Sequence, residues 1–263
     1  MSSAAMQRVV ITGASAGLGR ALAFAYAQPG CVLGLVARNA AELEVTAEGC
    51  RARGAEVLTG AVDVRDAAAI GTWLVAFDNR YPIDLLIANA GIASTLASAG
   101  DWEGLDRTCA VVDTNFYGSM YTVLPVLDRM RLRKQGRIAL VSSLASLRGM
   151  AISPAYCASK AAIKAYGDSV RPLLARDGVG MTVILPGFVS TAMSDAFPGD
   201  RPFMWSADRA AAHILRKLAV GRAEIAFPRL LSVGMRLLTI LPVQVADAIL
   251  DRLSYLPREE RVN

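Results

Sequence analysis

Two stretches of this chain hold side chains of suitable type and spacing for chemistry. Tyr156 and Lys160 stand four residues apart in Tyr156-Cys157-Ala158-Ser159-Lys160, which puts both on one face of a helix. A free phenol ionises near pH ~10. Bringing that to ~7 takes about 4 kcal/mol of differential stabilisation, and an adjacent ammonium contributes to it, together with any second positive charge at the site, by favouring phenolate. Such a tyrosine is a general acid in one direction and a general base in the other. The second stretch, Gly13-Ala14-Ser15-Ala16-Gly17, carries two readings. As G-x-S-x-G it has the spacing of a serine-hydrolase nucleophile elbow. Extended to Gly19, it is a glycine-rich turn whose backbone can approach a pyrophosphate.

The remaining inventory narrows the chemistry. There is one histidine, His213, so imidazole metal clusters are excluded and any Ser/His/Asp triad must use it. Cys31, Cys50, Cys109 and Cys157 are scattered without C-x-x-C spacing. That argues against structural zinc or a disulfide framework and for buried thiols in a reducing compartment. The net charge is +5, with lysines and arginines dispersed and no basic run interleaved with aromatics. Nucleic acid is therefore not an expected partner. A 54% hydrophobic content suits a parallel sheet covered on both faces. No apolar run reaches the ~18–20 residues needed to cross a bilayer. The N-terminal "MSSAAMQ" lacks the basic flank and apolar run of a secretory signal. A cytoplasmic protein is expected.

The elements that must position these residues alternate. Strand-like runs fall at 8–12, 31–38, 55–64, 83–91, 137–143 and 181–186. Helical runs fall at 19–28, 40–54, 66–80, 106–133 and 154–176. Near-even alternation implies βαβ units and a Rossmann-like, doubly wound parallel sheet of about seven strands with helices on both faces. No linker or repeat interrupts it, so residues 1–263 read as a single domain. This order decides between the two readings of the glycine turn. The turn joins the first strand to the first helix, at the crevice where dinucleotides bind in such sheets. The helix beginning near Gly17 offers free N–H groups to phosphate. A nucleophile elbow would follow several strands, and His213 sits in the helical run "DRAAAHILRKL" rather than on a loop.

With these residues in order, the chain resembles the short-chain dehydrogenase/reductase family in its single-domain Rossmann form. The resemblance covers residues 8–228 and rests on an ordered set of motifs. These are Thr12-Gly13-x-x-x-Gly17-x-Gly19, Asp63-Val64, Asn89-Ala90-Gly91, Asn115, Ser143, Tyr156-x-x-x-Lys160 and Pro186-Gly187, with Ser143 standing 13 residues before Tyr156. One departure is Ala88, where the family more often has asparagine. The resemblance implies an oxidoreductase moving hydride between nicotinamide and a carbonyl or alcohol. It implies catalytic Asn115, Ser143, Tyr156 and Lys160, with Ser143 polarising the substrate oxygen and Asn115 holding a water on Lys160. Ser142, on the opposite face of the strand, is expected to be a turn residue. The cofactor would lie on Gly13, Ser15, Gly17, Leu18, Gly19, Arg38, Asp63, Val64, Asn89, Ala90, Gly91, Tyr156, Lys160, Pro186, Gly187 and Thr191. The expected metal requirement is none.

Ala37 occupies the place where NAD-specific members carry a carboxylate, and Arg38 follows it. A guanidinium suits a 2′-phosphate, so the expected cofactor is NADP(H), and reduction is the expected direction. The segment 188–206 is long, Gly/Pro-punctuated and holds Phe197, Phe203, Met204 and Trp205. It reads as a substrate loop for a hydrophobic ketone or alcohol. Residues 229–263 read as an apolar helical extension that caps the entrance, joins a subunit interface or makes peripheral membrane contact. The resemblance implies a homodimer or homotetramer pairing the helices at 106–133 and 154–176. The competing reading is a non-catalytic NADP(H)-binding scaffold or sensor.

Overall fold

The computed structural model describes residues 8–98 and 100–252. Seven parallel strands form one sheet. They are β1 (Arg8–Thr12), β2 (Val32–Ala37), β3 (Glu56–Ala61), β4 (Leu85–Ala88), β5 (Gly136–Val141), β6 (Val179–Pro186) and β9 (Glu224–Phe227). A short pair, β7 (Val189–Ser190) and β8 (Trp205–Ser206), forms a second sheet. The main sheet runs β3-β2-β1-β4-β5-β6-β9. The order therefore reverses at β1, which opens a crevice between the carboxyl ends of β1 and β4.

The strands read as unbroken apolar runs because each buries both faces. Val9, Ile11, Leu33, Leu35, Leu85 and Ile87 pack under α1 (Gly17–Tyr26), α2 (Ala40–Arg51) and α8 (Ala207–Ala219). The alternate residues Val10, Leu86, Ile138 and Leu140 pack under α3 (Ala67–Arg80), α5 (Gly118–Leu132) and α6 (Pro154–Arg176). This two-sided burial holds the strand ends in register, so the loops that leave them have fixed origins.

Three details differ from the sequence expectation. The helix expected at 106–133 is α4 (Leu105–Val112), a π-helical stretch Asp113–Tyr117, and α5. One residue of the π-helical stretch is Asn115; such wide turns often mark functional positions. The seventh main-sheet strand, β9, is only four residues long and begins on Glu224, so its sequence gave no strand signal. Finally, the segment after Pro186 is built from β7, a single helical turn α7 (Ala192–Asp195) and β8. The C-terminal extension is helical as expected, with α9 (Arg229–Ile240) and α10 (Val243–Arg252). Its remainder, 253–263, lies outside the described residues. Met235, Leu238, Ala246 and Leu250 dock this pair against Leu144, Val183 and Leu185. Among the described residues no helix is long and apolar enough to cross a membrane.

Candidate active site

The turn after β1 closes because it lacks side chains. Gly13 and Gly17 adopt φ of +68° and +52°, a region that L side chains avoid. A Cβ on Gly19 would lie 2.1 Å from the Gly13 carbonyl oxygen. The turn is stitched to the end of β4 from both sides. The Asn89 Nδ2 donates to the Thr12 carbonyl at 2.9 Å. The Thr12 Oγ1 accepts the N–H groups of Asn89 and Ala90 at 3.1 and 3.2 Å. Thr12 thus works as a clamp, a role the motif alone did not assign. Arg20 braces the turn from α1, donating to the Ser15 carbonyl and to Glu42.

Arg38 follows the end of β2 and is exposed, with its Nη1 3.9 Å from Asp63. Asp63 also takes three hydrogen bonds from the Arg65 side chain. Those bonds hold its carboxyl below the usual aspartate range. One carboxylate therefore faces two guanidiniums, which leaves this end of the crevice electropositive.

At the other end, β5 and α6 bring the reacting groups together. Ser143 leaves β5, its Oγ accepting the Ala145 N–H at 3.1 Å and donating to the Pro186 carbonyl at 3.4 Å. Tyr156 and Lys160 project from the first turns of α6. The Lys160 Nζ donates to the Val141 carbonyl at 2.9 Å and lies 5.8 Å from the centre of the Tyr156 ring. Burial pushes the Tyr156 phenol up to about 12, while the Ser143 hydroxyl, in hydrogen-bonding reach, pulls the other way. Burial also brings the Lys160 amine down to about 8. Desolvation is the largest influence on this phenol.

Ser142 is not the turn residue expected. It is buried, and its hydroxyl donates to the Lys160 carbonyl at 2.7 Å, which anchors α6 to the end of β5. Asn115 is buried as well. Its Oδ1 accepts the Ile92 N–H at 2.8 Å. Its Nδ2 donates to the Ile92 carbonyl at 3.0 Å and to Ser159 at 2.9 Å. The amide therefore ties the chain after β4 to α6 and has no spare donor. A Cβ on Gly91 would lie 3.0 Å from the Asn115 Oδ1 and 3.4 Å from the Lys160 Nζ, so glycine is what allows these groups to close up.

One cavity of about 750 Å³ gathers these features. Its wall includes Gly13, Ser15, Gly17, Leu18, Gly19, Arg38, Asp63, Val64, Asn89, Ala90, Gly91, Ser143, Tyr156, Lys160, Pro186, Gly187 and Thr191. Of the residues expected to be catalytic or to hold the cofactor, only Asn115 is absent from the wall. The glycine-rich turn and the electropositive pocket by Arg38 fit a dinucleotide phosphate. The far end is apolar, with Leu144, Met150, Phe188, Phe197, Leu231 and Met235. Phe203, Met204 and Trp205, expected beside the substrate, do not line the cavity. Instead Phe203 and Met204 are exposed. Trp205 stacks on Phe227 at 4.9 Å and meets His213 edge-on at 5.4 Å. The one histidine, carried on α8, is thus held in an aromatic cluster with Trp205 and Phe227, which leaves Ser15 without a base and ends the hydrolase reading.

Comparison with known proteins points the same way. Residues 7–201 match the short chain dehydrogenase family. An uncharacterized oxidoreductase of Myxococcus xanthus (strain DK1622) is 34% identical over 255 residues, spanning 96% of this chain and 100% of that protein. The 11-beta-hydroxysteroid dehydrogenase-like 2 of Arabidopsis thaliana is 30% identical over 250 residues, 92% of this chain and 80% of that one. Among solved structures, levodione reductase superposes with a TM-score of 0.75 at 25% identity, covering 84% of this chain and 95% of its own. A short chain dehydrogenase from Mycobacterium paratuberculosis, solved bound to NAD, gives 0.73 at 21% identity over 84% and 95%, a likeness of fold.

Proposed function

The chain belongs to the short-chain dehydrogenase family, and from that premise we propose that it is an NADP(H)-dependent reductase of apolar ketones. As a member of that family it is an oxidoreductase acting on CH–OH groups with a nicotinamide cofactor. The observation that carries the finer reading is the meeting of the glycine turn, Ser143, Tyr156 and Lys160 in one cavity with an apolar far end.

When bound, reduced nicotinamide supplies the hydride; the chain supplies orientation and the proton. Gly13, Ser15, Gly17, Leu18 and Gly19 would hold the phosphates, with Asn89, Ala90 and Gly91 as the opposite wall. Asp63 and Val64 would take the adenine, and Pro186, Gly187 and Thr191 would hold the nicotinamide end. The Ser143 hydroxyl donates a hydrogen bond to the substrate oxygen and steadies its growing negative charge. The Tyr156 phenol donates the proton. The Lys160 ammonium stabilises the phenolate left behind, and Asn115 keeps α6 and the strand end at the distance this transfer needs.

Two features support NADP(H) over NAD(H). Ala37 leaves no carboxylate beside the ribose, and Arg38 and Arg65 together outnumber Asp63. A homodimer or homotetramer is in keeping with the exposed apolar side chains Tyr117 and Leu124 near and on α5 and Leu173 on α6. The role of α9 as entrance cap is supported by Leu231 and Met235, which line the cavity. The deciding experiment follows absorbance of NADPH and NADH against a panel of ketones, with Tyr156→Phe in parallel. The reductase reading expects NADPH-linked turnover that the variant loses while still binding NADPH. A variant that retains turnover would overturn it, and a chain that binds NADPH yet reduces nothing would favour a scaffold or sensor.

A further inference from the structure

The helix that carries Tyr156 begins without a cap of its own. Ser153 holds the N-cap position of α6, yet its side chain accepts no bond from the first turn, and no acidic residue stands in that turn. A helix start leaves N–H groups that need acceptors. Pro154 has no N–H, and the Cys157 N–H donates to the Ser153 carbonyl at 3.0 Å. The Ala155 N–H is met from outside the helix, by the Glu103 carboxylate at 2.7 Å. Ala155 is buried, which leaves little room for water in place of that carboxylate. Glu103 therefore brings α6 both an acceptor and a negative charge at the positive end of the helix dipole. It is not a free arm. The Leu96 N–H donates to the Ile152 carbonyl at 2.8 Å, just ahead of α6. Asp101 accepts the Ala97 N–H at 3.0 Å and pairs with Arg107 of α4 at 2.8 Å. Arg107 also donates to the Thr95 carbonyl at 2.8 Å. Ala93 and Thr95 line the cavity, so the chain leaving β4 both borders the cavity and grips the start of the helix.

We propose that Glu103 is a positioning residue for the proton transfer. Its carboxylate fixes the first turn of α6, and with it the place of the Tyr156 phenol, one residue beyond the capped N–H. The proposal rests on the reductase reading above and deepens it, because that reading needs the phenol held in one place relative to Ser143. First turns fray when their donors lack partners. A displacement of about 1 Å costs on the order of 10²-fold in rate. Glu103 is not part of the cavity wall, so its influence on the reaction runs through the helix. Lys160 is held separately, one turn further on, by its bond to the Val141 carbonyl and by the Ser142 bond to its own carbonyl. Glu103 thus governs the phenol more than the ammonium.

The test compares the unaltered chain with Glu103→Ala, which deletes the acceptor, and Glu103→Gln, which keeps an acceptor oxygen. Amide hydrogen exchange over residues 153–160 is followed by mass spectrometry on the proteins without cofactor. Exchange there should quicken about fivefold in Glu103→Ala, the size of one capping bond. In Glu103→Gln it should stay near that of the unaltered chain. With NADPH and a ketone that the unaltered chain reduces, kcat should fall about tenfold in Glu103→Ala, while KM and the Kd for NADPH hold. The solvent deuterium isotope effect on kcat should rise, because proton donation becomes the slower step. Glu103→Gln should restore most of the rate and the smaller isotope effect. Four results would each refute the assignment while leaving the reductase reading intact. They are unchanged exchange in Glu103→Ala, an unchanged kcat, a loss of NADPH binding in step with the rate, and a Glu103→Gln variant as slow as Glu103→Ala. Absence of turnover by the unaltered chain on every ketone would instead sink the reductase reading, and the positioning role with it.

Discussion

At Lys160 the demands of folding and chemistry oppose each other. The side chain is 4% exposed, and burial brings its amine from 10.5 down to about 8. In the unfolded chain the same amine keeps its proton to about pH 10.4. Between those values the unfolded state binds more protons than the folded one, so this residue makes stability rise with pH across the window. Its penalty is fully present below pH ~8 and gone above about 10.4. At 1.36 kcal/mol per pH unit, the gap amounts to about 3 kcal/mol. Lys160→Met abolishes this titration and keeps a side chain of similar length. Packing differences and the lost bond to Val141 shift the variant's curve by an offset that largely cancels when the two pH profiles are compared. Urea unfolding of both proteins at intervals from pH 7 to 10.5 measures the effect. The unaltered chain should gain about 3 kcal/mol on the variant over that range, most of it between pH 8 and 10, and the variant should have lost turnover throughout. Tyr156 and the buried thiols are common to both proteins and drop out of the difference. Parallel stability curves would refute the argument, because they would mean the amine is as well solvated in the fold as outside it.

Further outcomes follow from the same geometry. Gly19→Ala places a methyl where the Gly13 carbonyl stands 2.1 Å away. It should cost about 1–3 kcal/mol in urea unfolding and weaken NADPH binding measured by fluorescence. Arg38→Ala removes a charge-assisted contact worth roughly 1.5–3 kcal/mol. The ratio of kcat/KM for NADPH over NADH should fall about ten- to hundredfold, and an unchanged ratio would rule out 2′-phosphate recognition by this guanidinium. Asn115→Ala strands the Ile92 N–H and carbonyl and the Ser159 hydroxyl. It should lower stability by about 2–4 kcal/mol and reduce kcat more than it weakens NADPH binding.

Much of this was legible in the residues themselves, for identifiable reasons. Strands buried on both faces leave unbroken apolar runs, so β1, β2, β4, β5 and β6 announce themselves. The four-residue β9, opening on Glu224, does not. Motif residues such as Gly13, Gly19, Tyr156 and Lys160 act through local geometry, which spacing encodes. What spacing cannot encode is contact between distant segments. Ser142 looked like a turn residue because its partner, the Lys160 carbonyl, lies 18 positions away. Thr12 belonged to a recognised motif, yet its task as a clamp on Asn89 needs the sheet order to be seen. The aromatics of 188–206 could have faced cavity or core, and only packing sends Trp205 to His213 and Phe197 to the cavity wall. The π-helical stretch around Asn115 has the composition of ordinary helix, and the partners of its amide, Ile92 and Ser159, lie 23 and 44 positions away.

The helix α9 presents Leu231 and Met235 to the cavity while Leu230, Val233, Leu237 and Ile240 face outward on the same cylinder. Selectivity can therefore drift independently of the reaction. On the proposed reading, exchanging a few side chains on this late helix would reshape what the cavity accepts, with the proposed proton donor and phosphate cradle untouched more than seventy residues upstream. A lineage carrying this architecture can diversify its substrates by editing its tail.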